Sequence, residues 1–298
     1  MDLGLSGHVA VVTGGASNIG RAISTVLAAE GARVAILDRD EAMAERTAGE
    51  IRAAGGDVTV YAVDLTDTAA TQAAADAVGA DLGPIAVLVN NVGWNGPAGF
   101  FLDLPPERWE QAYRLNVYPT LNATHAVLPG MVERRDGTIV SIASDAGFGE
   151  FRMADYGPMK AGVMAFTRII AKEYGRYGIR ANTVCPGLVI PEPGAIGEGS
   201  LWQADIGFGE KQIADMERST PLRRRPEAID IATPSPGSRP NRRGCSRVRW
   251  SASPAASTCR GDADRQRRST ARAVVAPIHS SIRSNEYPSS SSMSSATR

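Results

Sequence analysis

The chain has 298 residues, with 32 basic and 32 acidic side chains and therefore no formal net charge, so nothing electrostatic favours nucleic acid or a membrane surface as a partner. Three cysteines without metal-ligand spacing predict neither a disulfide framework nor a metal site. No apolar run approaches the roughly 20 residues of a membrane span, and the N-terminus lacks a signal-peptide pattern, so we expect a soluble, cytoplasmic protein.

The first predicted element is a short apolar strand, residues 9–12, that runs into glycines and then into a helix near Ile19. Gly14, Gly15 and Gly20 permit a tight turn and a close approach of the backbone to a ligand. The helix N-terminus presents free N–H groups and the positive end of its dipole. This order predicts a pyrophosphate site, and a glycine-rich turn without a ligand is the alternative.

The second strand, residues 33–38, ends in an acid about 20 residues beyond the glycines. The Asp38 carboxylate can accept hydrogen bonds from a ribose diol and would repel a 2′-phosphate. It therefore favours NAD over NADP. Arg39 keeps the alternative open, because a guanidinium can pair with phosphate.

The remaining strands are also continuous apolar runs, which is typical of a parallel sheet covered by helices on both faces. We therefore predict a single α/β domain with a doubly wound, Rossmann-type parallel sheet. Ligands of such sheets bind beyond the carboxyl ends of the strands. The predicted strands lie near Val9, Val34, Val58, Val87, Ile139 and Ala181, and the helices begin near Ile19, Glu41, Thr68, Pro106 and Asp155.

A tyrosine and a lysine four residues apart, Tyr156 and Lys160, open a long apolar-periodic helix. They lie on one helix face, where the ammonium can lower the pKa of the phenol and make it a general acid or base near neutral pH. A surface pair without function is the alternative.

Taken in order, these motifs resemble those of the short-chain dehydrogenase/reductase family, which read TGxxxGIG, NNAG, a mid-helix Asn, a post-strand Ser, YxxxK and NxxxPG. The resemblance extends over about residues 5–232. It implies that Tyr156 exchanges a proton with a carbonyl or alcohol oxygen while hydride moves to or from a nicotinamide. Lys160 would also bond the nicotinamide ribose, Ser144 would hold the substrate oxygen, and Asn116 would anchor a water or, alternatively, bond locally to backbone.

The resemblance also implies a set of NAD-binding residues at the strand ends. Asp64 and Leu65 would flank the adenine, and residues 90–93 would line the ribose, with Val92 in place of the usual Ala. Pro191 stands where the family has a Thr that bonds the carboxamide, which removes one expected contact. The predicted cofactor-binding residues are Thr13, Gly14, Ser17, Asn18, Ile19, Gly20, Asp38, Asp64, Leu65, Asn91, Val92, Gly93, Tyr156, Lys160, Pro186, Gly187 and Val189.

Two serines compete for the position next to Tyr156. Ser144 precedes the tyrosine by one residue fewer than is usual in the family, which a shorter loop would explain. Ser141 lies within the fifth strand, where side-chain alternation would direct it elsewhere. We therefore predict Ser144 as the catalytic serine.

The substrate is predicted to meet residues 188–222, a long segment without clear elements that is typical of a lid or binding loop. Trp202 and Phe208 are its large apolar groups, and their alternative is to pack the loop onto the body. Residues 223–225 are three arginines that could pair with coenzyme A phosphates or form a solvated corner. Trp94 is also placed to face the site. Residues 142–147 are similar to family members that act on hydroxyacyl-CoA thioesters of alicyclic acids.

We therefore predict an NAD-dependent dehydrogenase or ketone reductase for a secondary alcohol of a hydrophobic, cyclic or CoA-linked compound. One alternative is a 3-oxoacyl thioester reductase. Another is a non-catalytic, dinucleotide-binding product. We also expect a homo-oligomer, formed through the apolar face of Val163, Phe166 and Ile170 on the helix that carries Tyr156.

The catalytic domain is predicted to cover residues 1–232, and the chain then changes character. In residues 233–298 about half the residues are Ser, Arg or Pro, and Leu, Phe and Lys are absent. Such a segment is predicted to be disordered, and the last edge strand of the sheet to be missing. A frameshift near codon 232 is our hypothesis, and a basic tail for nucleic acid or an acidic partner is the alternative.

Overall fold

Six parallel strands form one sheet in the order β3-β2-β1-β4-β5-β6, which confirms the predicted Rossmann-type fold. Strand order reverses between β1 and β4, and a crevice for ligands forms at such a reversal. The strands are β1 (Val9–Thr13), β2 (Arg33–Asp38), β3 (Asp57–Ala62), β4 (Ile85–Asn90), β5 (Gly137–Ile142) and β6 (Ile179–Val184).

This computed structural model describes residues 4–192, 194–197, 200, 209–220 and 223–233, all within one compact unit, residues 1–259. A second unit, residues 260–298, lies outside these ranges. Outside them too are Trp202, Phe208 and, apart from Thr233, the predicted tail.

Helices cover both faces of the sheet because successive strand residues point to opposite sides. Val12 packs with Ile23 and Leu27 on one face, and Val11 packs with Val127 and Met131 on the other. The helices are α1 (Asn18–Ala29), α2 (Glu41–Ala53), α3 (Thr68–Leu82), α4 (Pro106–Asn116), α5 (Tyr118–Arg134), α6 (Gly157–Tyr174), α7 (Glu210–Ser219) and α8 (Ala228–Ala232).

Two predicted segments differ from the structure. Asn116 was expected within a helix, but it ends α4, and α5 begins at Tyr118 with Pro119 in its first turn. A proline fits a first turn because its missing N–H would have no helical partner there. The segment 188–222, expected without elements, contains α7.

The predicted association face on α6 is wrong. Val163 and Ile170 are 2% and 6% exposed and pack into the core, and Phe166 packs against the same interior. The neighbouring Ile169 is 49% exposed instead. The apolar period of this helix therefore marks the face that meets the sheet.

Within the described part of the chain, β6 is bonded to one neighbour, β5, so it forms an edge of the sheet. The described helices also include none with the length and apolar character needed to cross a membrane.

Candidate active site

The glycine turn after β1 has no room for side chains. A Cβ on Gly20 would lie 1.9 Å from the Gly14 carbonyl oxygen. Gly14 has a φ of +62°, a conformation that glycine adopts without strain. The Asn91 amide nitrogen donates to the carbonyls of Thr13 and Gly14, at 3.1 and 3.0 Å. This close-packed backbone fits a dinucleotide phosphate, which needs access to main-chain N–H groups.

Thr13 lies beneath the cleft and ties two strands together. Its hydroxyl donates to the Val89 carbonyl at 3.1 Å and accepts from the Asn91 N–H at 2.9 Å. Asn90 turns away from the cleft, because its amide donates to Thr124 of α5. Thr13 and Asn90 therefore support the cleft wall without facing the cleft. Asn91 lines the cleft.

The Asp38 carboxylate is fixed on the cleft wall by backbone hydrogen bonds from Ala16 and Asp40, each 3.1 Å long. Burial raises the pKa of Asp38, and these hydrogen bonds partly oppose the rise. Arg39 lines the same stretch of wall. A carboxylate held in this way suits a ribose diol.

Asp64 and Leu65 lie at the same end of the cleft. Burial acts to raise the pKa of Asp64, but hydrogen bonds from Thr66 outweigh it and the net shift is downward. The Asn122 amide donates to the Leu65 carbonyl at 2.9 Å and holds this loop against α5. An ionised Asp64 and a buried Leu65 thus border the space predicted for adenine.

Lys160 is buried at the end of the cleft opposite Asp38 and Asp64. Its Nζ donates to the Ile142 carbonyl at 3.1 Å. It lies 5.7 Å from the centroid of the Tyr156 ring. Burial lowers the pKa of Lys160 to about 8. A Cβ on Gly93 would come within 2.5 Å of this Nζ, so a larger residue here would displace the lysine ammonium.

Tyr156 lies directly before α6, beside Ser144 and Lys160. Burial raises the pKa of Tyr156 well above its ordinary value, a hydrogen bond from Ser144 opposes this, and the Asp145 carboxylate adds to the rise. Desolvation dominates, so the net shift of the Tyr156 pKa is upward, and the lowering expected from Lys160 stays a prediction.

The two competing serines have different surroundings. Ser141 is fully buried in β5 and accepts a hydrogen bond from Thr167 of α6 at 2.9 Å. Ser144 follows the strand, bonds Tyr156 and is 9% exposed. Ser144 is the serine placed to reach a substrate oxygen.

The Asn116 side chain binds backbone in the described structure. Its Nδ2 donates to the carbonyls of Ala112 and Trp94, both at 2.8 Å, and its Oδ1 accepts from the Trp94 N–H at 3.0 Å. This is more than the local bonding considered above, because it fixes the loop that carries Gly93 and Trp94. Its Oδ1 keeps a second lone pair for a water.

An ion pair between a partly buried arginine and a buried aspartate joins α4 to the residue just before the tyrosine. Arg108 Nε lies 2.9 Å from Asp155 Oδ2, although the N–H does not point at that oxygen. The Arg108 guanidinium also lies 5.2 Å from the Trp94 ring centroid and donates to the Pro97 carbonyl at 2.9 Å. It therefore links the Trp94 loop to the start of α6.

Sequence reasoning missed this pair, because the two residues are distant in the chain and match no motif. It also missed Asp40, Met43, Pro119 and Ser200 in the cleft wall. Asp40 caps α2, and an acid one residue before a predicted helix start could have signalled it.

Thirteen predicted cofactor residues line the cleft, namely Gly14, Ser17, Asn18, Ile19, Gly20, Asp38, Asp64, Leu65, Asn91, Val92, Gly93, Tyr156 and Lys160.

The four other predicted cofactor residues lie behind or beside this wall. Thr13 is 1% exposed, and Val189 is 4% exposed within the core. Pro186 is buried next to Gly187, and its carbonyl accepts from the Asp145 N–H at 3.0 Å. Pro186, Gly187 and Val189 follow the end of β6, whereas Thr13 ends β1.

The segment after β6 reaches back over the glycine turn. The Asn18 N–H, the first of α1, donates to the Ala195 carbonyl at 3.1 Å. Gly197 lies against the Asp40 carboxylate, and Ser200 contributes to the cleft wall. Residues 194–197 and Ser200 thus cover the end of the cleft that carries Asp38.

The three consecutive arginines at 223–225 fit the alternative given above, a solvated corner, better than a site for coenzyme A phosphates. Arg224 pairs with Asp230, and Arg225 pairs with Glu217. These carboxylates neutralise the two guanidinium groups that a phosphate would otherwise meet.

Comparisons with known proteins agree with this geometry. The short chain dehydrogenase family profile matches residues 8–193. A 2,3-dihydro-2,3-dihydroxybenzoate dehydrogenase of Bacillus subtilis is 31% identical over 233 residues, which cover 77% of this chain and 87% of that protein. 2-(S)-hydroxypropyl-CoM dehydrogenase 3 of Xanthobacter autotrophicus is 38% identical over 186 residues, 62% of this chain and 72% of that protein. An NAD+-bound xylitol dehydrogenase structure matches with a TM-score of 0.69 and 30% identity, covering 76% of this chain and 90% of that chain.

Proposed function

Because this chain belongs to the short-chain dehydrogenase family, whose members bind a nicotinamide dinucleotide, we propose that it interconverts a secondary alcohol and a ketone with NAD. One observation carries the proposal. The side chains of Tyr156, Ser144 and Lys160 meet at one end of a cleft whose other end is a glycine turn with the Asp38 carboxylate.

The protein's own groups handle the proton of this reaction. The dinucleotide, when bound, accepts or supplies the hydride. In the reducing direction, the neutral Tyr156 hydroxyl donates its proton to the carbonyl oxygen, and its raised pKa keeps that proton in place until the oxygen becomes basic. In the oxidising direction an ionised Tyr156, stabilised by a protonated Lys160, accepts the alcohol proton and becomes a neutral phenol.

The choice of NAD rests on Asp38. Its two oxygens are already oriented by backbone N–H groups, and its ionised form would repel a 2′-phosphate. Arg39 in the same wall is the group that would favour NADP. The NAD+-bound xylitol dehydrogenase and the shared fold support NAD for this chain as well.

A hydrophobic substrate, cyclic or thioester-linked, fits the apolar end of the cleft. Trp94 is 9% exposed there, and Phe100 and Phe151 form an edge-to-face pair at 5.4 Å on the two loops that flank the site. By their names, the Bacillus subtilis and Xanthobacter autotrophicus relatives are dehydrogenases of hydroxylated compounds, the first of them cyclic. We propose residues 1–232 as the catalytic domain and a homo-oligomer as the working form.

Tyr156→Phe tests the proposed function. We expect turnover with NAD+ and a panel of secondary alcohols to fall on the order of 10²-fold or more, because the proton donor is lost. NADH binding, followed by fluorescence titration, should persist. Tyr177→Phe, in the short turn that follows the end of α6, is the matched control and should keep wild-type turnover. Near-normal turnover of Tyr156→Phe with cofactor bound would contradict the mechanism.

A further inference from the structure

The hydrogen-bonding capacity of Ser144 is almost fully used by its neighbours. A hydroxyl has one proton to donate and two lone pairs to accept. Ser144 Oγ donates to Asp145 Oδ1 at 3.2 Å and accepts from the Ala146 N–H at 3.2 Å. One lone pair is left for another partner.

Asp145 is held in place by both strands that end here. It follows β5, and its N–H donates to the Pro186 carbonyl after β6 at 3.0 Å. Its carboxylate then turns back to the Ser144 hydroxyl. The same hydroxyl also bonds Tyr156, so the carboxylate and the phenol compete for a single Ser144 proton.

On the basis of the proposed function, we propose that Asp145 is a positioning residue that orients the Ser144 proton and thereby matches the site to one of the two substrate forms. With Asp145 ionised, Ser144 donates to it and offers its lone pair to the hydroxyl of an alcohol. With Asp145 protonated or absent, Ser144 donates to a ketone oxygen or to Tyr156. A carboxylate next to the reactive serine thus favours alcohol binding.

The ionisable groups that face Asp145 are Glu150 from the same loop and Tyr156 from the start of α6. Burial raises the pKa of Asp145, hydrogen bonds from Ser144 and Ala146 lower it, and the Glu150 charge raises it, with a net rise. The switch between the two Ser144 orientations therefore occurs above the pH at which an ordinary aspartate loses its proton.

A double-mutant cycle on the phenol tests the proposal without any substrate. 3,5-Difluorotyrosine is placed at position 156, where its greater acidity brings ionisation into a measurable range, and ¹⁹F chemical shifts are followed against pH. We expect Asp145→Ala to increase the acidity constant about tenfold, a shift of one pH unit. In a Ser144→Ala background the increase should shrink to threefold or less, because the effect passes through Ser144.

Equal increases in both backgrounds would overturn the proposal, since Asp145 would then act on the phenol by charge alone. No increase in either would overturn it as well. Glu150→Gln, which removes the other nearby charge, is the control and should give the same small increase with and without Ser144. If Asp145→Ala does not fold, Asp145→Leu replaces it, because it is close to aspartate in shape and accepts no hydrogen bond.

A second measurement uses cyclohexanol and cyclohexanone as probes at pH 8. The ratio of the alcohol KM to the ketone KM should rise about tenfold in Asp145→Ala, as expected when one hydrogen bond is exchanged for another. An unchanged ratio would overturn the proposal. Absence of turnover with every alcohol would instead contradict the proposed function, and the ¹⁹F cycle would still decide whether Asp145 acts through Ser144.

Discussion

The two ends of the cleft are held together by different interactions. At the cofactor end, backbone atoms pack against each other, as Gly20 does against Gly14. At the substrate end, charged side chains are buried, as are Lys160 and Asp155, the latter beside a partly buried Arg108. The first end should therefore be sensitive to added atoms, and the second to the loss of a charge or its partner.

The largest effect should come from breaking the ion pair at the substrate end. Arg108→Met leaves the Asp155 carboxylate buried without its partner, and we expect unfolding to become easier by about 3–5 kcal/mol. Turnover should fall while NADH binding is retained, because the Trp94 loop loses its link to α6. Urea unfolding and fluorescence titration measure the two effects.

A double variant sharpens this prediction. Arg108→Met with Asp155→Leu removes both charges and should restore most of the stability without restoring turnover. If turnover returned together with stability, the pair would have no positioning role beyond folding.

Lys160→Met should move stability and activity in opposite directions. Burial has lowered the lysine pKa from 10.5 to about 8, so its charge costs about 3 kcal/mol at neutral pH. The variant should unfold at a higher temperature at pH 7 and lose activity. Between pH 8 and 10.5 the unfolded wild type binds the extra proton, so wild-type stability rises with pH and the advantage of the variant shrinks. A constant difference across this range would contradict the assignment.

Gly20→Ala should damage the cofactor end. The new methyl group would overlap the Gly14 carbonyl oxygen, which cannot move without opening the turn. Overpacking of this kind costs about 1–3 kcal/mol. If the turn must open to bind, dinucleotide affinity measured by titration should fall about 5- to 150-fold. Gly49→Ala in α2 is the control, because its Cβ would meet open space and the helix should gain about 1 kcal/mol.

The smallest effect is expected for Asp38→Ser. Loss of the carboxylate should weaken NAD about tenfold and relieve the repulsion of a 2′-phosphate, so that preference moves towards NADP. In the wild type, NAD affinity should also decline as pH falls through the raised Asp38 pKa, since a protonated carboxyl accepts hydrogen bonds less well. Tighter binding of NADP by the wild type would show that Arg39 dominates.

The same contrast explains how much the sequence could predict. Gly14, Gly20 and Asp38 were predictable because backbone geometry restricts which residues can stand at those points. The buried position of Val163 was not, because an apolar helical period does not say whether its face meets a sheet or another subunit. Arg108 and Asp155 were also missed, since their pairing depends on how α4 packs against α6.

The hydrogen bond from the Asn18 N–H to the Ala195 carbonyl joins two segments that the ribosome makes at different times. The glycine turn leaves the ribosome with β1, whereas the carbonyl that covers it follows after β6. A nascent chain therefore carries the turn uncovered while the sheet assembles around it. A dinucleotide that bound the uncovered turn during this interval would stabilise the young sheet by mass action before the cover is made.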